Sequence, residues 1–201
     1  GGLIAKATER DAKVYVLYMS IGKSRQYVTG STEENVRIKE AQNAAHFFGF
    51  QSRFQFIGDE FMTLDSLPQK SLIEPMEDTL QDFHPEIVVI PSQFSFDQDH
   101  RAVFNAAMTA LRPLSRRIRH FVPNVLEAEE PHSWGPGPAF KPNYYVSLTP
   151  ELLQKKLDGL GCHKTQLREE PFTRSFANLT RIAQYRGNEI GESYAEAFFM
   201  H

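Results

Sequence analysis

Ile87-Val88-Val89-Ile90-Pro91, followed shortly by Asp97-Gln98-Asp99-His100, is the stretch whose reading decides the fold. The first part is a short β-branched run bounded by Pro85 and Pro91, the pattern of a buried strand. The second part leads into a helix predicted over Arg101–Leu111, with Ala102, Val103, Ala106 and Ala110 on one stripe. In open α/β sheets, ligands collect in the crevice beyond the carboxyl ends of the strands. Two carboxylates and an imidazole at such a place could bind a metal or move protons.

Working outward, the same alternation recurs. Leu3–Thr8 has the pattern of a helix, and Lys13–Met19 that of a strand ending in a polar loop at Ser20–Ser24. Gly22-Lys23-Ser24 resembles the tail of a phosphate-binding loop, but the earlier glycine is missing and the motif is set aside. Ser31 and Glu34 have capping-box spacing, which predicts a helix starting at Ser31. Its apolar face is Val36, Ala41, Ala44, Ala45 and Phe48, and Gly49 ends it. A strand is expected at Phe54–Ile57 and a helix from Pro68 to about Phe83. This β-α-β-α-β order predicts an α/β fold, a Rossmann-like doubly wound, mainly parallel sheet with flanking helices.

After Pro113 the expected elements are a strand at Arg119–Val122, a Pro/Gly loop over residues 131–142, and a strand at Tyr144–Val146. Helices follow over Pro150–Cys162 and Ser175–Ile190. No repeat, low-complexity tract or linker divides the chain, so one domain over residues 1–201 is expected.

Bulk properties narrow the function classes. The chain has 201 residues, 41% hydrophobic and 23% charged, an ordinary globular balance with enough length for a real core. A net charge of -3 gives no electrostatic case for nucleic acid, and Arg116-Arg117-Ile118-Arg119 reads as a solvated turn. The single cysteine, Cys162, leaves no internal disulfide and no multi-cysteine zinc site, which points to a reducing, cytoplasmic compartment. No apolar run approaches the roughly 20 residues of a membrane span, and no signal peptide is visible.

Several separate pieces, in this order, resemble the PIG-L/LmbE-like family of zinc-dependent de-N-acetylases. Gly1-Gly2-Leu3-Ile4-Ala5-Lys6 is similar to the helix after that family's first motif, and Arg37-Ile38-Lys39-Glu40-Ala41 to its Arg-x-x-Glu-Ala helix. Gln98-Asp99-His100-Arg101-Ala102-Val103 resembles its second metal motif, and Phe140-Lys141-Pro142-Asn143 its Phe-x-Pro-Asn segment. His163-Lys164-Thr165-Gln166, Tyr185-Arg186-Gly187 and Tyr194-Ala195-Glu196-Ala197-Phe198 are similar to later segments. The resemblance implies a Rossmann-like fold, zinc as the divalent metal, and an N-acetylated amino sugar as the small-molecule partner. It implies His100 as a metal ligand and Asp99 as the carboxylate orienting a neighbouring imidazole. A bound zinc would lower the pKa of a water and polarise the amide carbonyl.

Two features depart from the family pattern. Its Ala-His-Pro-Asp-Asp-Glu motif is not in this sequence, and the expectation is a domain seen without its first strand, with that motif upstream of Gly1. Asp97 stands where the family usually has a histidine that stabilises the tetrahedral intermediate. A protonated Asp97 could donate a hydrogen bond there, an ionised one would repel the oxyanion, and it could instead be a further ligand.

Plainer accounts stand beside these. Asp97 and Asp99 suit a helix N-cap and first turn without any metal. Arg37 and Glu40 could be a surface pair at i and i+3, or Arg37 could meet substrate. Asp59 could line a sugar pocket or close a turn. Trp134, with His132 in the Pro/Gly loop, could stack on a sugar or anchor the loop. Asn143 is a substrate-contact candidate, with loop architecture as the alternative. Tyr194, Glu196 and Phe198 are read as packing and a terminal ion pair.

Three functions follow. The leading one is a metal-dependent hydrolase removing acetyl from an N-acetylated amino sugar or related small amide, with a homo-oligomer left open. The second is a non-catalytic sugar- or partner-binding descendant. The third is a nucleotide-sugar-dependent transferase using Asp97-x-Asp99 to hold a divalent ion.

Overall fold

A computed structural model of the chain describes residues 1–22, 24–26, 30–58, 63–131 and 138–201. The elements run α1 (Gly2–Thr8), β1 (Tyr15–Gly22), β2 (Ser24–Gln26), β3 (Gly30–Thr32), α2 (Glu34–Phe48), β4 (Gln51–Gly58), α3 (Gln69–Phe83), β5 (Ile87–Ile90) and α4 (Gln98–Ala110). They continue as β6 (Asn124–Ala128), β7 (Tyr144–Leu148), α5 (Pro150–Gly161), α6 (Phe176–Asn188) and β8 (Tyr194–Met200), with single 3-10 turns at Leu64–Ser66 and Lys164–Gln166. The chain divides into two compact units, residues 1–61 with 145–197, and residues 62–144 with 198–201.

In the first unit β1 and β4 pair in parallel, with Tyr18 opposite Phe54 and the two rings stacked 5.0 Å apart. Helix α2 packs on both strands and buries Ala41, Ala44 and Phe48, the last with its ring against Gly159 of α5, and Gly49 ends it in the left-handed conformation at φ 78°. The expected start at Ser31 is corrected. Ser31 pairs with Arg25 in the β2–β3 hairpin, and the helix begins at Glu34 without a side-chain cap. Strand pairing there gives the backbone of residues 30–32 partners that a capping box would not supply.

Helix α1 is tied down from the far end of the chain. Glu196 on β8 accepts the N–H groups of Gly2 at 2.8 Å and Leu3 at 2.7 Å, and pairs with Lys156 Nζ at 2.8 Å. These are the orphan donors of a helix start, met by a carboxylate at the favourable end of the dipole.

In the second unit α3 and α4 pack together. Leu72, Met76 and Leu80 of α3 and Ala102, Ala106 and Ala110 of α4 are all buried. Both sets repeat every four residues, so each forms a single stripe. Strand β5 pairs in parallel with β6, and β6 pairs antiparallel with β8 through Leu126–Met200, Glu127–Phe199 and Ala128–Phe198. Within this unit the strands lie in the order β5-β6-β8.

The fold is therefore mixed α/β. Parallel pairs at β1–β4 and β5–β6 accompany antiparallel pairs at β2–β3 and β6–β8. The strand expected at Arg119–Val122 is corrected to Asn124–Ala128. Pro123 has no N–H for a ladder, Arg119 pairs with Glu77, and His120 Nε2 meets the Pro85 carbonyl at 2.8 Å. No helix among the described residues is long and apolar enough to cross a membrane.

Burial pushes the Glu196 carboxyl up, Lys156 and the Gly2 N–H act against it, and the net direction is well below the usual carboxylate range. A depressed folded-state value gives stability that is complete above the unfolded pKa and lost as pH falls towards the folded one. Glu196→Gln is expected to lower stability at neutral pH by roughly 3–5 kcal/mol. The gap should close on acidification, as read from melting temperatures of both proteins across pH.

Candidate functional site

The candidate residues Asp97, Asp99 and His100 meet at the start of α4, in the second unit. Asp97 caps the helix, its Oδ1 accepting the N–H groups of Asp99 at 2.9 Å and His100 at 3.4 Å. Asp99 is buried and its Oδ1 accepts the Leu64 N–H at 2.8 Å, joining α4 to the turn at Leu64–Ser66. Burial raises its pKa, the Leu64 N–H opposes this, and Asp97 and Asp65 add to the rise.

The carboxylate on His100 is one the sequence did not single out. Glu130 Oε1 lies 2.6 Å from His100 Nδ1, and Ser95 Oγ donates to Glu130 Oε2 at 2.8 Å while standing 3.3 Å from the same ring nitrogen. Glu130 follows β6 directly, and the expected strand at Arg119–Val122 had hidden that register. A predicted strand over 124–128 would have carried its acidic end, Glu127 to Glu130, to the side of the β5–α4 loop.

That loop is firmly held. Glu127, 2% exposed, accepts from Ser92 Oγ at 2.8 Å, from the Gln93 N–H at 3.2 Å and from Gln93 Nε2 at 3.3 Å, and lies 3.2 Å from His201 Nε2. Ser95 Oγ also accepts the Asp97 N–H at 3.1 Å, and Arg101 Nη1 donates to the Ser95 carbonyl at 2.6 Å.

The remaining candidates lie elsewhere. Arg37, in the first unit, donates from Nη1 to the Gly22 carbonyl at 2.6 Å. Burial lowers its pKa, Glu40 opposes this, and Arg174 adds to the fall. Glu40 is buried, taking the Thr165 N–H at 2.8 Å and the Thr165 hydroxyl at 2.7 Å. Asn143 clamps β8 on both sides of its carboxamide, Nδ2 donating to the Met200 carbonyl at 3.0 Å and Oδ1 accepting the Met200 N–H at 2.6 Å. Asp59, His132 and Trp134 lie outside the described residues.

Among the described residues no group of three or more His, Cys, Asp or Glu side chains could hold a metal ion. A catalytic zinc takes three protein donors, and the described part of the site offers one imidazole, with both neighbouring aspartates on main-chain N–H groups. These residues do not by themselves fit zinc.

The sequence profile of the PIG-L family, described as GlcNAc-PI de-N-acetylase, matches residues 1–111. The chain belongs to the PIG-L family. Among solved structures it resembles GalB, the 4-carboxy-2-hydroxymuconate hydratase from Pseudomonas putida, at 22% identity and TM-score 0.73, over 99% of this chain and 88% of that one. It also resembles N,N'-diacetylchitobiose deacetylase from Pyrococcus horikoshii, at 19% identity and TM-score 0.73, over 100% of this chain and 77% of that one. A third likeness is to the zinc-inhibited form of a teicoplanin deacetylase, at 16% identity and TM-score 0.73, over 100% and 91%. At these identities the likeness is one of fold. No curated protein sequence matches the chain.

The hydrogen bond from Glu130 raises the His100 pKa, burial opposes it, and the charges of Glu130, Asp97 and Asp99 add to the rise. A raised folded-state value gives stability that is complete below the unfolded histidine pKa and lost as pH rises through the folded one. The His100 side chain is 49% exposed, so solvent screening keeps the contribution to about 1 kcal/mol or less. The melting-temperature difference between the wild type and His100→Ala should be largest at mildly acidic pH and shrink as pH rises.

Proposed function

We propose that this PIG-L family member removes the acetyl group from an N-acetylated amino sugar or a related small amide. Family membership supports the reaction class, and the Glu130–His100 pair at 2.6 Å is the observation that carries the site. Amide hydrolysis requires a proton to leave the attacking water and another to reach the departing amine. An imidazole with a carboxylate at Nδ1 can do both through Nε2, because the carboxylate stabilises the imidazolium formed in between.

In this proposal Asp97 and Asp99 act through the first turn of α4, which they fix, and so through the placing of His100. Arg37, Asp59 and Trp134 stay candidates for sugar contact on their residue types, and Asn143 acts by holding β8. Zinc dependence belongs to the proposal through the family. A zinc held by His100 Nε2 would occupy the lone pair that the proton-transfer role uses, so the two roles of His100 are alternatives that the assay with and without zinc separates. When bound, zinc would supply Lewis-acid polarisation of the carbonyl. No step is routed through it, since the described residues do not complete its ligand set. For a transferase, the Asp97-x-Asp99 carboxylates would have to face a shared ion, and no group of three or more such side chains that could hold one is found among the described residues.

The test is acetate release from N-acetylglucosamine derivatives by the purified full-length protein, with and without added zinc. His100→Ala is expected to lower the rate by roughly 10²- to 10⁴-fold. Undiminished turnover in that variant would remove His100 from the mechanism. Saturable sugar binding without any acetate release would favour a non-catalytic descendant.

A further inference from the structure

We infer that Glu130 fixes the tautomer of the His100 ring, so that Nδ1 carries the proton and Nε2 presents the lone pair. The inference comes from counting protons around one nitrogen. Nδ1 faces Glu130 Oε1 at 2.6 Å and Ser95 Oγ at 3.3 Å. A carboxylate oxygen only accepts. The Ser95 hydroxyl has one hydrogen, and it is directed to Glu130 Oε2 at 2.8 Å. Both neighbours of Nδ1 are then acceptors, so the hydrogen must sit on the ring nitrogen.

The arrangement is built to stay in place. Ser95 is 3% exposed and the Glu130 side chain 14% exposed. Ser95 Oγ is further oriented by the Asp97 N–H it accepts, and its carbonyl by Arg101. Among the described residues no hydrogen bond reaches Nε2. Glu130 is thus a positioning residue, acting on substrate through His100. Its catalytic consequence rests on the deacetylase proposal, whereas the tautomer does not.

The experiment is nitrogen NMR of the labelled chain, at a pH where the His100 ring is neutral, on the wild type, Glu130→Ala, Glu130→Gln and Ser95→Ala. The wild type is expected to show His100 Nδ1 as N–H and Nε2 unprotonated. Glu130→Ala should shift the ring towards the Nε2–H form that an unconstrained histidine favours. Glu130→Gln, nearly the same shape and able either to donate or to accept, should give a mixture and serves if the alanine variant does not fold. Ser95→Ala should keep the wild-type tautomer. In the acetate assay Glu130→Ala should lower kcat roughly 10- to 100-fold, with KM little changed and partial recovery in Glu130→Gln. An unchanged tautomer in both Glu130 variants overturns the inference. A shifted tautomer in a chain that hydrolyses no N-acetyl sugar leaves the inference standing and removes the deacetylase reading.

Discussion

A carboxylate buried in a β-strand costs free energy unless its oxygens are hydrogen-bonded, and Glu127 is 2% exposed in the middle of the β6–β8 pairing. Its needs are met by Ser92 and Gln93 from the β5–α4 loop and by His201. That single requirement fixes where the loop runs. A few residues on, Glu130 repeats the relation with Ser95 and His100. The polar side chains of the loop therefore turn towards these carboxylates, and Phe94 and Phe96 are left 44% and 42% exposed. Two phenyl groups that the core does not take up thus flank the serine that orients the Glu130–His100 pair.

Much of this fold was legible because the responsible signals are local. The run at 87–90 became β5 with the expected bounds, but its expected burial is corrected: Ile87 and Val89 are each 45% exposed and only Ile90 is buried. Gly49 closed α2 as its position implied. Asp97 did what an aspartate before an apolar helical stripe does, and capped α4. The errors fell where tertiary pairing outranked local pattern. Ser31 had the spacing of a cap but was drawn into a hairpin. Asn124–Ala128 did not look like a buried strand because it contains Glu127, whose partners lie 34 and more residues away in sequence. Misplacing that strand also concealed Glu130.

The site was half legible for the same reason. Spacing within one helix turn brought Asp97, Asp99 and His100 to notice, since those three are neighbours in any helix start. Which carboxylate meets the imidazole is a question of sheet register, and sequence neighbours are poor guides to it. Asp99, one residue from His100, accepts from Leu64 instead, because a helix directs successive side chains about 100° apart. Glu130, 30 positions away, is the one that reaches Nδ1.

Fold alone does not select the reaction. A hydratase and two deacetylases share this architecture at TM-score 0.73, and a shared scaffold carries different chemistries through the groups placed on it. Adding water to a carbon–carbon double bond and adding it to an amide carbonyl both need a base poised at the water. They differ in what must be protonated next, a carbon in the first and a departing nitrogen in the second. An imidazole with a fixed carboxylate behind it suits the second demand, because it can hold the water's proton as an imidazolium and return it to a nitrogen of matching basicity. The Glu130–His100 geometry therefore bears on the choice between these reactions in a way that the order of strands cannot.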